Sequence, residues 1–149
     1  APSEMCIRDR VKMELTFKLE VNAPKEIIWS YYADLEKRHI WEEDLEDIKF
    51  NGKLKTGTTG TMKLEGMPEM SFTLTNIVPN CSYWDKTDVP GVGGIYFGHD
   101  ILQKDGKTFI QHTVRLDKEN PTEDDLNFLC NVFSDVPKST MIIKKEAER

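Results

Sequence analysis

The chain has 149 residues, of which 38% are hydrophobic and 31% charged, and its net charge is −6. These values are typical of a soluble globular domain and exclude an intrinsically disordered chain. The acidic excess disfavours nonspecific binding to nucleic acid or to an acidic membrane surface. No apolar run approaches the roughly 20 residues that cross a bilayer, and no signal peptide is apparent. We therefore expect a cytoplasmic protein without membrane insertion.

The first residues do not resemble protein-coding sequence. Met5–Arg10 reads as the translation of a sequencing-library adapter. We therefore interpret residues 1–12 as a non-native N-terminal extension and leave them out of the fold prediction. Residues 13–149 are long enough to form one domain around one core.

Residues 13–21 alternate strictly between apolar and polar side chains, which predicts a strand with one buried face. Pro24 suits the start of a helix, and Glu26 lies where the helix dipole favours an anion. Apolar side chains then continue at helical spacing at Ile27, Ile28, Tyr31, Tyr32 and Leu35. A second short helix is predicted over 34–39, ahead of Trp41.

Alternating runs separated by turn residues predict further strands. These strands cover 46–50, 57–65, a run from Met70 that Pro79 stops, and 82–87. On the last of them Tyr83 and Asp85 share one face and Trp84 lies on the other, and the sequence leaves open which face is inward. A flexible loop is expected at 90–94.

The clearest element is a hairpin with Asp105-Gly106 at its turn. This dipeptide between alternating runs predicts a two-residue turn joining strands 95–104 and 107–117. Such a turn fixes the register of the two strands. His99 is then placed directly opposite His112, on the same sheet face as Phe97 and Val114.

The last element is predicted to be a helix that starts near residue 122. Thr122 and Asp125 have the spacing of a capping box. An apolar stripe follows at Leu126, Leu129, Cys130, Phe133, Val136, Thr140 and Met141. Pro137 is expected to kink this helix or to split it in two.

This order of elements resembles the START-like/SRPBCC superfamily and, within it, the polyketide cyclase/dehydrase-like branch. The resemblance rests on the pattern Val21-x-Ala23-Pro24-x-Glu26-x-x-Trp29, then Asp34 and Trp41. It implies an α+β helix-grip fold: a curved antiparallel sheet of about seven strands wrapped around a long C-terminal helix, with two short helices after the first strand. Because this fold hosts many functions, the resemblance transfers no catalytic residue.

His99 and His112 are the sharpest functional candidates. Two imidazoles facing each other among apolar side chains are expected to stay largely uncharged, because burial and mutual repulsion oppose protonation. They would hold a polar group of a ligand or move a proton. The alternative is a pair of hydrogen-bonded side chains with a purely structural role.

Other candidates would line a cavity between the sheet and the C-terminal helix. Polar and aromatic walls are expected from Tyr83 and Trp41, and an apolar lining from Met70, Phe72, Phe97 and Phe133. The same side chains would also fill an ordinary core. The three cysteines have no metal-ligand spacing, and no phosphate loop or metalloprotease motif is present, so neither a metal nor another cofactor is expected.

These observations favour a protein that binds a small hydrophobic molecule, lipid-like or polyketide-like, in that cavity. Two alternatives remain. The first is a cofactor-independent cyclase or dehydratase that uses the histidine pair. The second is a protein-interaction module resembling co-chaperone domains, with Tyr96, Leu102 and Phe109 as an outer apolar patch. The oligomeric state is not predicted.

Overall fold

The computed structural model describes residues 12–149. The chain begins with β1 (Lys12–Glu20), α1 (Lys25–Ala33) and α2 (Leu35–Trp41). Six strands follow, namely β2 (Leu45–Phe50), β3 (Thr59–Leu64), β4 (Met70–Val78), β5 (Ser82–Val89), β6 (Gly93–Lys104) and β7 (Lys107–Asp117). Two helices end the chain, α3 (Glu123–Phe133) and α4 (Val136–Ala147).

The strands form one antiparallel sheet in the order β1-β7-β6-β5-β4-β3-β2. The first strand is therefore placed beside the last, while the others pair with their neighbours in sequence. This α+β arrangement, a curved seven-stranded sheet with a helical C-terminal segment, confirms the predicted fold class. The predicted extension at 1–12 lies outside the described residues except for Lys12, which begins β1.

The β6–β7 hairpin has the predicted register. Asp105 and Gly106 both have positive φ, as a type I′ turn requires. Ile95 pairs with Leu116, and His99 pairs with His112. Since side chains alternate across a strand, this register places both imidazoles on the same sheet face, and their burial shows that this face is the inner one.

The C-terminal helix is split in two, as Pro137 predicted. Thr122 and Asp125 form the predicted capping box at the start of α3. The break falls at residues 134–135, and Pro137 lies in the first turn of α4. A backbone N–H in the first turn has no acceptor within the helix, so the N–H that proline lacks costs no hydrogen bond at this position.

The predicted apolar stripe on this segment is wrong at three positions. Leu126, Cys130 and Met141 are exposed, whereas Leu129 and Thr140 are buried. A single helical period cannot be extended across the break at 134–135, so each helix turns its own face to the sheet. In α3 the buried face is centred one position away from the predicted stripe.

The apolar core consists of two separate clusters. The first surrounds Tyr32, Leu74 and Tyr83, and the second surrounds Ile95 and Leu129. Helix α4 packs against β1 and β7 and against α1 and α2. Helix packing is therefore concentrated over the β1–β7 side of the sheet, and the central strands carry the boundary between the clusters.

Candidate functional site

The two predicted histidines lie together in the interior. Their ring centroids are 4.7 Å apart, and both side chains are buried. Nε2 of His112 is 2.8 Å from the hydroxyl of Tyr32, which α1 brings to the inner face. Nδ1 of His99 is 2.9 Å from the backbone oxygen of Tyr83. Since a carbonyl oxygen only accepts, His99 carries its hydrogen on Nδ1, and its Nε2 is an acceptor.

Both imidazoles are uncharged at neutral pH. Burial lowers the pKa of His99 to about 3, and the nearby Arg38 cation acts in the same direction. Burial also lowers the pKa of His112 well below its ordinary value, with further contributions from His99 and Arg38. The pair is therefore suited to hydrogen bonding and cannot readily store a proton.

Arg38 is the most deeply buried charge near the pair, with 1% of its surface exposed. Its Nη1 donates to the Tyr83 hydroxyl at 3.0 Å, and its Nε donates to Glu42 at 3.2 Å. Burial opposes the charge, but Glu42, Tyr83 and Asp85 outweigh it and raise the pKa of Arg38. Burial raises the pKa of Tyr83 to about 12, so this hydroxyl keeps its proton.

Asp85 is a buried carboxyl group without a hydrogen-bond partner on one oxygen. It is 2% exposed, and its Oδ1 has no partner within residues 12–149. Burial raises its pKa to about 7, partly offset by Arg38 and reinforced by Glu42. Its cross-strand neighbours are Leu74 on β4 and Phe97 on β6. These neighbours belong to different core clusters.

Aromatic rings fill the interior around the histidines. The centroids of Tyr32, Trp41 and Tyr83 lie 5.2, 5.6 and 5.6 Å from that of His99. The Trp41 indole N–H donates to the backbone oxygen of Tyr31 at 2.8 Å, which fixes the ring against α1. The histidine pair is therefore part of a packed cluster and does not line an open cavity in this structure.

The other predicted lining residues divide between buried and half-buried positions. Phe72 is buried, and its ring lies over Gly60. Met70, Phe97 and Phe133 are half-buried. Phe97 and Phe133 pack against the second cluster, on the same side as Ile95 and Leu129. The predicted set is thus not one wall: Trp41 and Tyr83 surround the histidines, whereas Phe97 and Phe133 pack against the second cluster.

An open cleft of about 350 Å³ lies at another place, which we call the terminal cleft. It is lined by Glu20–Pro24 and Gly106–Thr108. This is the end of β1 and the turn of the β6–β7 hairpin, whereas the histidines lie mid-strand on β6 and β7.

Sequence reasoning missed Arg38 and assigned no role to Tyr32. Arg38 lies in a run of charged residues that reads as a solvated helix surface. The signal that would have found it is its spacing, because Trp41 follows three residues later and shares its helix face. Tyr32 likewise follows the buried Ile28 by four residues. For Tyr83 and Asp85, the structure decides the open question: this face of β5 is inward.

Within residues 12–149, no group of three or more His, Cys, Asp or Glu side chains has the geometry to hold a metal ion. None of the helices in this part of the chain is long and apolar enough to span a bilayer.

Solved structures with the same arrangement cover almost the whole chain. Ara h 8.0201 superposes with a TM-score of 0.69 at 13% identity, covering 92% of this chain and 98% of that one. This is the helix-grip fold. The Aha1 dimer from Colwellia psychrerythraea gives a TM-score of 0.62 at 13% identity, covering 89% and 96% of the two chains. These neighbours confirm the predicted START-like/SRPBCC resemblance at the level of fold.

A third neighbour is DynU16, a protein of the dynemicin biosynthetic locus, with a TM-score of 0.65 at 12% identity. The match covers 91% of this chain and 48% of DynU16, so the helix-grip chain spans about half of that protein. No family model matches the sequence, and no curated protein matches it. Similarity at these identities establishes the fold alone, so function has to be argued from the side chains.

Proposed function

We propose that this protein binds a small, largely apolar molecule on the inner face of the sheet, at the boundary between its two core clusters. We call this place the inter-cluster surface and define it by Leu74, Asp85 and Phe97. The observation that carries the proposal is the carboxyl group of Asp85, buried between the clusters with one oxygen unpaired. A buried polar group without a partner is costly, and such groups concentrate at functional sites.

The surroundings of Asp85 suit the body of an apolar ligand. Leu74 lies on one side and Phe97 on the other, each directly across the sheet. Phe97 and Phe133 are apolar rings that remain half-buried although they pack against the core. A ligand that covers the exposed part of these rings gains binding free energy, roughly 25 cal/mol for each Å² of apolar surface that it removes from water.

The site is closed in this structure, because Leu74 and Asp85 are covered. Phe97 is the part that can move, since a half-buried ring changes rotamer more readily than a fully packed one. The aromatic rings around His99 occupy the neighbouring interior, which restricts the ligand to a small molecule. His99 and Tyr83 border the site and supply further hydrogen-bonding atoms.

Native mass spectrometry of residues 13–149 with a panel of small apolar molecules tests this proposal. We expect one-to-one complexes that weaken at least about fivefold in Phe97→Ala, because truncating a central aromatic contact costs more than about 1 kcal/mol. Tyr96→Ala is the matched control, since Tyr96 is the adjacent aromatic residue on the opposite sheet face. Equal loss in both variants, or no complex with any member of the panel, would overturn the proposal.

An enzymatic role is the second candidate, and one observation favours it. Burial raises the pKa of Asp85 to about 7, the range in which a general acid or base works best at neutral pH. Arg38, which donates to the Tyr83 hydroxyl, is close enough to lower the pKa of Asp85 in part. DynU16, which shares the fold, belongs to a biosynthetic locus. Turnover of a bound molecule that is lost in Asp85→Asn, with binding retained, would establish catalysis.

The outer face of the sheet gives less support to a protein-interaction module. The Lys18 ammonium lies 4.8 Å from the centroid of the Phe109 ring, and the Arg115 guanidinium lies 4.4 Å from the centroid of the Tyr96 ring. Leu102 is exposed, and Phe109, its cross-strand neighbour, is the ring that Lys18 covers. The predicted outer patch is therefore a mixed aromatic and cationic surface.

A further inference from the structure

The hydrogen bonds missing at the inter-cluster surface specify what a ligand there must carry. Asp85 Oδ1 is an acceptor without a donor within residues 12–149. The fold itself does not need a carboxyl group at this position, because the flanking cross-strand residues Leu74 and Phe97 are apolar. Replacing a buried polar group by an apolar one of similar shape is often neutral or stabilising. A hydrogen-bond donor on a ligand would supply the partner that this carboxyl oxygen lacks.

Tyr83 supplies the complementary group. Its hydroxyl accepts from Arg38 Nη1 at 3.0 Å, and this is its one hydrogen bond within residues 12–149. A hydroxyl also carries a hydrogen to donate. Tyr83 and Asp85 lie two positions apart on β5 with the same inward face. The charge of Asp85 contributes to the raised pKa of the Tyr83 hydroxyl, so the two groups lie near each other.

The burial of the site disfavours an ionic ligand group. The Arg38 guanidinium is paired with Glu42, and the neighbouring imidazoles are uncharged because burial lowers their pKa values. A ligand anion would lie close to Asp85 and Glu42, and a ligand cation would have to give up its hydration in a largely apolar interior. An uncharged polar group has a smaller desolvation cost.

We propose that Asp85 and Tyr83 recognise a hydroxyl group on the ligand, with Asp85 accepting its hydrogen and Tyr83 donating to its oxygen. This inference rests on the proposed function, since it specifies the polar end of the same ligand. It makes Asp85 the residue that determines specificity between a hydroxylated molecule and its hydrocarbon analogue.

Three probes of similar shape test the inference: 2-naphthol, 2-methylnaphthalene and 2-methoxynaphthalene. The hydroxyl of the first donates and accepts, the methyl group of the second does neither, and the ether oxygen of the third only accepts. Calorimetric titration of the wild-type protein is expected to give 2-naphthol about 5- to 150-fold tighter binding than either analogue, because a buried unpaired acceptor costs about 1–3 kcal/mol. This comparison needs no variant.

Variants assign the preference to Asp85. In Asp85→Leu, 2-naphthol and 2-methylnaphthalene are expected to bind within about threefold of each other. Asp85→Asn keeps an acceptor oxygen and should keep the preference, which guards against misfolding of the leucine variant. Asp88→Leu is the control, because Asp88 is exposed on the same strand.

The outcomes separate the two proposals. If all three probes bind the wild-type protein with equal affinity, the hydroxyl inference is overturned while ligand binding stands. If the preference persists unchanged in Asp85→Leu, the assignment to Asp85 is overturned. If no probe binds at all, both the inference and the binding site it rests on are contradicted for molecules of this size.

Discussion

The burial of Asp85 makes the folding stability of the protein depend on pH. Its pKa is raised from 3.8 to about 7, so the folded protein holds this proton more tightly than the unfolded chain. Its stabilising contribution is full below pH 3.8 and is lost as the pH rises through about 7. The buried His99 acts in the opposite direction: its contribution is full above pH 6.5 and is lost as the pH falls towards about 3.

We therefore predict that Asp85→Asn stabilises the protein more at pH 8 than at about pH 4. The free energy of unfolding in urea, variant minus wild type, should increase through this range and level off above about pH 7. Taking the difference cancels the contribution of the histidines. Asp88→Asn, which changes an exposed carboxylate on the same strand, serves as the control. A difference that does not change with pH would contradict the assignment of this shift to Asp85.

The bond between Tyr32 and His112 is the second test at the residue scale. Tyr32→Phe keeps the ring but leaves His112 Nε2 buried without its 2.8 Å partner. We expect the free energy of unfolding to fall by about 1–3 kcal/mol. Tyr96→Phe removes a hydroxyl from the half-buried outer face and should have a much smaller effect in the same urea titration. Equal effects would mean that the His112 bond contributes nothing specific.

At the scale of the element, strand β3 depends on a glycine. An added Cβ at Gly60 would lie 2.5 Å from the backbone oxygen of Lys49 and would also clash with the Phe72 ring. Gly60→Ala is expected to cost about 1–3 kcal/mol of stability because backbone on β2 cannot yield as a side chain can. Gly52→Ala is the control, since its nearest contact would be 3.7 Å from Thr58. Thermal unfolding that showed the two variants to be alike would contradict the close approach of β2 to β3 at Gly60.

The elements also show what the sequence could predict. Turn chemistry at Asp105-Gly106 fixed the hairpin register and thereby the opposition of His99 and His112. Local capping residues located the start of α3. The buried face of the C-terminal segment was not predictable by extending one period, because the helix breaks at 134–135.

Arg38 could be predicted only in part. Its spacing to Trp41 indicates the helix face, but the burial of its charge depends on Tyr83 from a distant strand and on Glu42. The same holds for Asp85. The sequence showed that Asp85 shares a face of β5 with Tyr83, but the pairing of β5 with β4 and β6 decided that this face is inward. Long-range contacts therefore assemble the candidate site on a fold that is largely predictable.

At the scale of the whole molecule, the same fold serves chains that share 12–13% identity with this one. A difference in function among them has to come from the inner side chains and from how the helices cover the sheet. Here α4 packs over β1 and β7, and the core is divided into two clusters. Asp85 lies at the division, where folding alone would favour an apolar side chain.

The measurement that tests this account most directly is the position of a bound molecule, obtained from intermolecular nuclear Overhauser effects between 2-naphthol and the isotope-labelled protein. The account predicts contacts to Leu74 and Phe97, together with a shift of the Asp85 carboxyl carbon signal. Contacts confined to Val21 and Thr108 would place the molecule in the terminal cleft, and contacts to Trp84 would place it on the outer face. Either of these results would contradict the assignment of the site to the inter-cluster surface.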